Sequence, residues 1–290
     1  MLVYGNGEVL VAQAPAKLNL FLEVLGKRAD GYHELETLMV SVGLYDTLVF
    51  KEGHSKTIAV RCLGAGERSD CGEGGIDSIP TGRDNLVVQA AHLLRDHTGV
   101  QRGAEITVWK RIPPAAGLAG GSSDAAATLV ALTHLWNVPL SAAELHPLAV
   151  RLGSDVAFFL ARTPAAVCRG RGEVIEPVPL PMTLQFVIVR PPTGLSTSHV
   201  YRACQPSSPA RSCRPLIQSL TAGRLAEAGR LFHNALVAPA EELNKDVTLV
   251  RRIFSRQPVL GHSMSGSGTA CFGLCTTRCQ ALALARQLAA

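Results

Sequence analysis

The sequence predicts a two-domain α+β protein, and three observations predict it. Strand-like alternation fills residues 8–62. Helical and strand-like runs mix in the second half. Arg162-Thr163-Pro164 separates the halves, so the expected domains are residues 1–163 and 164–290. A chain of 290 residues has ample length for their cores.

Residues 8–12 read as a first strand. Leu18, Leu20, Leu22 and Val24 alternate with Asn19, Phe21 and Glu23, which predicts a second strand with one face in the core. Asn19 then lies on the other face, where a ligand has room. Residues 26–31 are a turn, and 38–42, 47–50 and 57–62 are further strands. Residues 63–83, rich in glycine, serine and charge, read as a surface loop. Asp84 is expected to cap a helix over 85–97, ended by Gly99. A strand at 104–110 and a helix at 125–136 flank a glycine-rich turn. Another helix is expected at 141–152. Past the boundary come strands at 165–168 and 184–189, a short helix at 198–204 and a proline- and serine-rich loop at 205–215. Helices at 224–236 and 239–255 follow, then a strand pair (259–264 and 269–274) around Ser265-Gly266-Ser267-Gly268, and a closing helix at 277–288.

Composition excludes several classes. Hydrophobic residues make up 47% and charged residues 18%, which is globular rather than disordered. No run of 18 apolar residues predicts a membrane-spanning helix, and residues 1–11 lack the basic and apolar regions of a signal peptide. A cytoplasmic protein is the resulting expectation. The net charge of +5 is scattered, without a Lys/Arg block, so nucleic acid is not an expected partner. Eight cysteines are expected as reduced thiols. The spacing of Cys271, Cys275 and Cys279 admits a metal site, but no histidine or fourth cysteine stands close by.

The segment Ile112-Pro113-Pro114-Ala115-Ala116-Gly117-Leu118-Ala119-Gly120-Gly121-Ser122-Ser123-Asp124 organises the chain. Glycine lets backbone approach a ligand, and the first N–H groups of a helix are free and lie at its positive end. Such a turn can hold a phosphate. A P-loop needs a lysine before Ser122, and a dinucleotide turn needs other glycine spacing and an acidic residue about 20 positions on. Neither is met. A plain glycine turn capped by Ser122 or Ser123 stays open.

Three segments, in order, resemble the motifs of the GHMP kinases. Pro15-Ala16-Lys17-Leu18-Asn19-Leu20 resembles the first. The glycine-rich segment resembles the second, Pro-x3-Gly-Leu-x-(Gly/Ala)-Ser-Ser-x-Ala, which wraps the ATP phosphates in that family. Met264-Ser265-Gly266-Ser267-Gly268-Thr269-Ala270 resembles the third. Arg28-x-Asp30-Gly31-Tyr32-His33-Glu34-Leu35 and Gly153-x-Asp155-Val156-x-Phe158-Phe159 narrow the resemblance to the branch acting on a cytidine diphosphate-linked methylerythritol. The resemblance implies a ribosomal S5 domain 2-like N-terminal domain and a ferredoxin-like C-terminal domain. It implies transfer of the γ-phosphoryl of ATP, with Mg2+, to the 2-hydroxyl of that small molecule, on the non-mevalonate route to isopentenyl diphosphate. A monomer or weak homodimer with no membrane partner is expected.

The resemblance also implies roles. Asp155 is the catalytic base and Lys17 its neighbour, holding it ionised and neutralising the transferring group. Pro113, Pro114, Ala115, Ala116, Gly117, Leu118, Ala119, Gly120, Gly121, Ser122 and Ser123 form the ATP loop. Asn19 stands near the methylerythritol hydroxyls, Tyr32 and His33 recognise cytidine, Thr197 contacts substrate, and Gly266, Ser267 and Gly268 line the site. Ala116 and Ala119 stand where that branch commonly has glycine, and Ser154 where it has alanine. Another GHMP kinase, acting on a mevalonate phosphate, homoserine or a sugar, stays open, as does an inactive nucleotide-binding homologue.

Overall fold

A computed structural model describes residues 1–5, 8–53, 55–64 and 82–289; residues 65–81 of the expected 63–83 loop, with Cys71, lie outside the described residues. The chain divides into two units. The first comprises Met1–Lys17, Ser41–Pro114 and Ala119–Thr163, and the second Leu18–Val40, Ala115–Leu118 and Pro164–Ala290.

Strands β1 (Leu2–Gly5), β2 (Val9–Lys27), β3 (His33–Gly53) and β4 (Ile58–Leu63) come first in the chain. Helix α1 (Leu86–Thr98), β5 (Gly103–Trp109), α2 (Gly120–Leu135), α3 (Ala142–Leu152) and α4 (Ser154–Leu160) follow. In the first unit β1 pairs antiparallel with β2, the far half of β3 pairs antiparallel with β5, and β5 pairs parallel with β4. The strands expected separately at 38–42 and 47–50 are one strand, because Gly43 between them does not break the extended run. Helix α1 is capped by Asn85, whose side chain accepts from Val87 N at 2.8 Å, one residue past the expected Asp84. Gly99 closes it in the left-handed conformation. Ser141 and Glu144 form a capping box on α3. Helix α2 packs on α1, α3 and α4. Ala125, Ala126, Ala127, Leu129, Ala131 and Leu132 are buried on every side of it, which makes it the unit's central helix.

The second unit adds β6 (Ala165–Gly170), β7 (Val174–Pro177), β8 (Gln185–Val189), α5 (Thr197–Ala203), α6 (Arg214–Thr221), α7 (Leu225–Arg230), β9 (His233–Asn234), α8 (Val237–Leu243), α9 (Lys245–Ser255), β10 (Gly261–Met264), β11 (Cys271–Cys275) and α10 (Arg278–Ala289). The near half of β3 pairs with β6, β6 with β7, and β9 lies parallel to β2. A separate three-stranded antiparallel sheet runs β10-β11-β8. Val187, Leu236, Val247, Phe254, Met264, Cys271 and Leu284 pack in its core. The helices expected at 224–236 and 239–255 are each interrupted. A methyl on Gly229 would meet Leu260 O at 2.3 Å, so this stretch is held by backbone packing, and Asn244 starts α9 by accepting from Asp246 N at 2.9 Å.

One expectation for β2 fails. Its second face is not open: Lys17, Asn19, Phe21 and Glu23 are all 3% exposed or less. In the second unit the covering groups are specific. Asn19 Nδ2 donates to Thr37 Oγ1 at 2.8 Å, Phe21 packs on the His233 ring, and Glu23 Oε2 accepts from Arg211 N at 3.0 Å. On β3, Glu36 Oε1 likewise accepts from Cys213 N at 2.8 Å. Burial and the Glu36 carboxylate push the Cys213 thiol up to about 12, so it stays protonated.

Candidate active site

The glycine-rich segment crosses both units. In the first, Pro113 and Pro114 are half-buried and lead out of β5. Ala119 is the N-cap of α2 with φ 57° and ψ 34°, and no side chain caps the helix. Ser122 and Ser123 are therefore not caps; they lie inside the helix, which begins five residues before the expected Ala125. Ser123 is fully buried and its Oγ has no hydrogen-bond partner among the described residues. Gly121 is exposed, Ser122 is half-buried and the first turn carries no acidic residue. Free N–H groups, the positive helix end and an absence of carboxylates fit an anionic group such as a nucleotide phosphate.

Of the alanines in place of glycine, Ala116 keeps negative φ, whereas Ala119 and the neighbouring Ala115 adopt φ 57° and 50°. An L-residue in that region carries about 1–2 kcal/mol of steric cost. Glycine would remove it and regain part of it as unfolded-chain entropy. Ala119→Gly is expected to stabilise the protein by about 0.5–1 kcal/mol, read as a higher urea midpoint at unchanged slope. A lower midpoint would show that the surrounding packing relieves the strain.

Lys17 and Asp155 also belong to the first unit. Lys17 ends that unit's part of β2, and Asp155 sits in the first turn of α4 behind Gly153. Lys17 Nζ lies 3.8 Å from Asp155 Oδ2, the lysine side chain 4% exposed and the aspartate 31%. Ser154 stands between Gly153 and Asp155 as the first residue of α4.

In the second unit, the 115–118 stretch is tied to the Ser265–Gly268 turn. Ala270 N donates to Ala116 O at 3.0 Å, and Ser265 Oγ donates to Gly117 O at 2.9 Å. Asn19 N donates to Ser265 Oγ at 3.3 Å. Asn234 Nδ2 holds the turn from behind, bonded to Met264 O and Gly266 O at 2.8 Å each. Thr197 Oγ1 and Ser267 Oγ are 2.9 Å apart, and Thr269 Oγ1 donates to Thr193 O at 3.0 Å. Gly266 and Gly268 have φ 55° and 92°. Tyr32 is 53% exposed, with the Arg171 guanidinium 4.5 Å over its ring. The His33 ring centroid lies 5.3 Å from that of Tyr201. Burial, aided by Lys27, lowers the His33 pKa, so the imidazole is neutral at pH 7.

Sequence reasoning missed Tyr201, Arg171 and Asn234. Nothing local marks them; an aromatic residue on a short helix and an arginine in a turn become informative only when folding brings them to His33 and Tyr32. It also missed Asp46, inside β3, and Lys110, just past β5. Cys271 and Cys275 are buried on β11 while Cys279 is exposed on α10. Among the described residues no group of three His, Cys, Asp or Glu side chains is placed to hold a metal ion. No helix of these residues is long and apolar enough to cross a membrane.

Comparison with known proteins decides the family. Residues 85–162 match the family described as GHMP kinases N terminal domain, and residues 216–290 match GHMP kinases C terminal. A 4-diphosphocytidyl-2-C-methyl-D-erythritol kinase of Pelotomaculum thermopropionicum is 42% identical over 285 residues, covering 97% of this chain and 93% of its own. The chain belongs to the GHMP kinase family. A crystal structure of 4-(cytidine 5'-diphospho)-2C-methyl-D-erythritol kinase superposes on this GHMP kinase with a TM-score of 0.78 at 35% identity, covering 96% of this chain and 95% of the other. Homoserine kinase from Cytophaga hutchinsonii, at 16% identity, shares the fold with a TM-score of 0.69, covering 97% and 90%. This kinase thus has the two-domain GHMP fold with mixed helix and strand content, and ATP is the phosphoryl donor its family implies.

Proposed function

We propose that this GHMP kinase transfers the γ-phosphoryl group of ATP to the 2-hydroxyl of 4-diphosphocytidyl-2-C-methyl-D-erythritol, releasing ADP and the 2-phosphate. The observation that carries this reading is the 42% identity, along 97% of the chain, to a relative bearing that kinase's name. Phosphoryl transfer asks a protein for positioning and charge neutralisation more than covalent chemistry. Asp155 takes the proton of the attacking hydroxyl. Lys17, at 3.8 Å from that carboxylate, stabilises charge on the transferring group. Residues 113–123 wrap the phosphates, with the N–H groups at the start of α2 as donors and Ser122 and Ser123 as hydroxyl partners. Mg2+ comes with the nucleotide; the described residues offer it no cluster of three His, Cys, Asp or Glu ligands.

Asn19, Thr197 and Gly266–Gly268 are assigned to the acceptor. Neutral His33 offers one donor and one acceptor to the cytosine edge, and the rings of Tyr32 and Tyr201 are the aromatic surfaces for the base. Replacement of His33 by alanine is expected to raise KM for the cytidine substrate about 10- to 100-fold, the scale of an unmade hydrogen bond. KM for ATP should stay within about twofold. Equal rises for both would remove His33 from nucleobase recognition.

The test of the whole reading is ADP release from Mg-ATP with this cytidine compound, with mevalonate, homoserine and galactose as controls. Release with the cytidine compound alone supports it. Release with a control retains the phosphoryl chemistry and discards the acceptor.

A further inference from the structure

Asp46, Lys110 and Asp124, all in the first unit, are 0%, 7% and 3% exposed and take no part in the chemistry above. They join the two feet of the glycine-rich segment. Asp46 Oδ1 accepts the N–H of Arg111 at 2.5 Å and of Ile112 at 2.8 Å, the residues leading into it. Asp46 Oδ2 accepts from Lys110 Nζ. The same ammonium donates to Asp124 Oδ2 at 2.7 Å, on the helix leading out. A methyl on Gly120 would come 3.2 Å from Lys110 Nζ, so the ammonium lies against the first residue of α2. Burial works against the lysine's charge, but Asp124 and Asp46 outweigh it and hold the pKa above the ordinary lysine range.

A buried ion network is poor evidence of stability, since apolar replacements of equal volume often do as well. What it fixes is geometry. Helices α1, α3 and α9 are each started by a side-chain cap, from Asn85, Ser141 and Asn244. Helix α2 has none, which leaves its first N–H groups free for a ligand. Its start must then be held from elsewhere, and the Lys110–Asp124 bond does this from beneath.

We propose that Asp46, Lys110 and Asp124 form a clasp that sets the shape of the glycine-rich segment before ATP arrives, with Lys110 as the positioning residue. The inference rests on the assignment of that segment to ATP. The clasp acts through the segment and touches no reacting atom. Binding already-shaped backbone spares the nucleotide the cost of ordering it.

Direct binding tests this without turnover. Wild type, Asp124→Leu and Asp124→Asn are titrated with ATP alone and, separately, with the cytidine substrate alone. Asp124→Leu keeps the approximate volume but removes the acceptor for Lys110; its Kd for ATP should rise at least about tenfold, with the cytidine Kd within about twofold. Asp124→Asn keeps an acceptor oxygen and should hold the ATP Kd within about threefold. Wild-type ATP affinity in the leucine variant, equal loss in both variants, or equal weakening of both ligands would overturn the clasp. Hydrogen exchange of the wild type gives an independent readout should the leucine variant not fold. The Arg111 and Ile112 amides should be protected before ATP is added; protection that arises only with ATP overturns the proposal. A wild type that binds ATP but phosphorylates another alcohol discards the proposed acceptor and leaves the clasp standing. One that binds no ATP discards both.

Discussion

Asp155→Asn is expected to give a folded protein whose kcat falls at least about 100-fold, the lower end for losing a positioned acid or base. Asparagine preserves the shape at the first turn of α4 but cannot accept a proton. The variant should fold because the carboxylate is 31% exposed and its ion pair with Lys17 spans 3.8 Å, so little stability depends on it. KM for ATP should change by less than about threefold, since the residue is assigned to the acceptor hydroxyl and not to the phosphates. Single-turnover kinetics separate the chemical step from product release. A variant retaining a tenth of wild-type kcat would remove Asp155 from the role of base. Circular dichroism and thermal melting must show native structure for the loss to count as chemical.

Gly117→Ala should produce the largest loss of stability of any methyl-sized change in the segment. Gly117 has φ +75°, where an L-residue carries a steric cost. An added Cβ would stand 2.0 Å from Ser265 O and 3.1 Å from Gly268 O. Both neighbours are backbone in a turn tied by Asn234, so neither can swing aside as a side-chain end would. Strain and overpacking together should cost at least about 3 kcal/mol, read from urea unfolding. An alanine variant within about 1 kcal/mol of wild type would mean that the turn gives way more easily than its hydrogen bonds suggest. By contrast, Gly31, also at positive φ, has nothing within 4 Å of its added Cβ, so the same change there meets only the backbone cost.

Signals that act within a few residues are legible in the sequence, and those that depend on distant partners are not. The alternation at 18–24 and the glycine past α1 act within a few residues, and each predicts an element near its observed place. The cap of α2 misled because a serine beside a helix is as ready to lie within its first turns as to precede it. The closed second face of β2 could not be read at all. It depends on Glu23 meeting Arg211 and Asn19 meeting Ser265, pairs 188 and 246 residues apart. The same holds for the clasp, where Lys110 meets Asp46 across 64 residues. Of the site, the motifs marked the segments by resemblance; the bonds between Thr197 and Ser267, and the rings beside His33, required the fold.

The second unit is assembled from three separate stretches, Leu18–Val40, Ala115–Leu118 and Pro164–Ala290. During synthesis its first strands leave the ribosome long before β8, β10 and β11 exist to complete it. Its parts of β2 and β3 must wait, with apolar residues such as Leu20, Leu22 and Leu38 uncovered, for roughly 10–50 seconds at ordinary translation rates. Such high sequence separation between partners slows folding and lengthens exposure to aggregation. For the protein engineer, a cut at residue 163 would leave residues 164–290 without the two strand halves that β6 and β9 pair with.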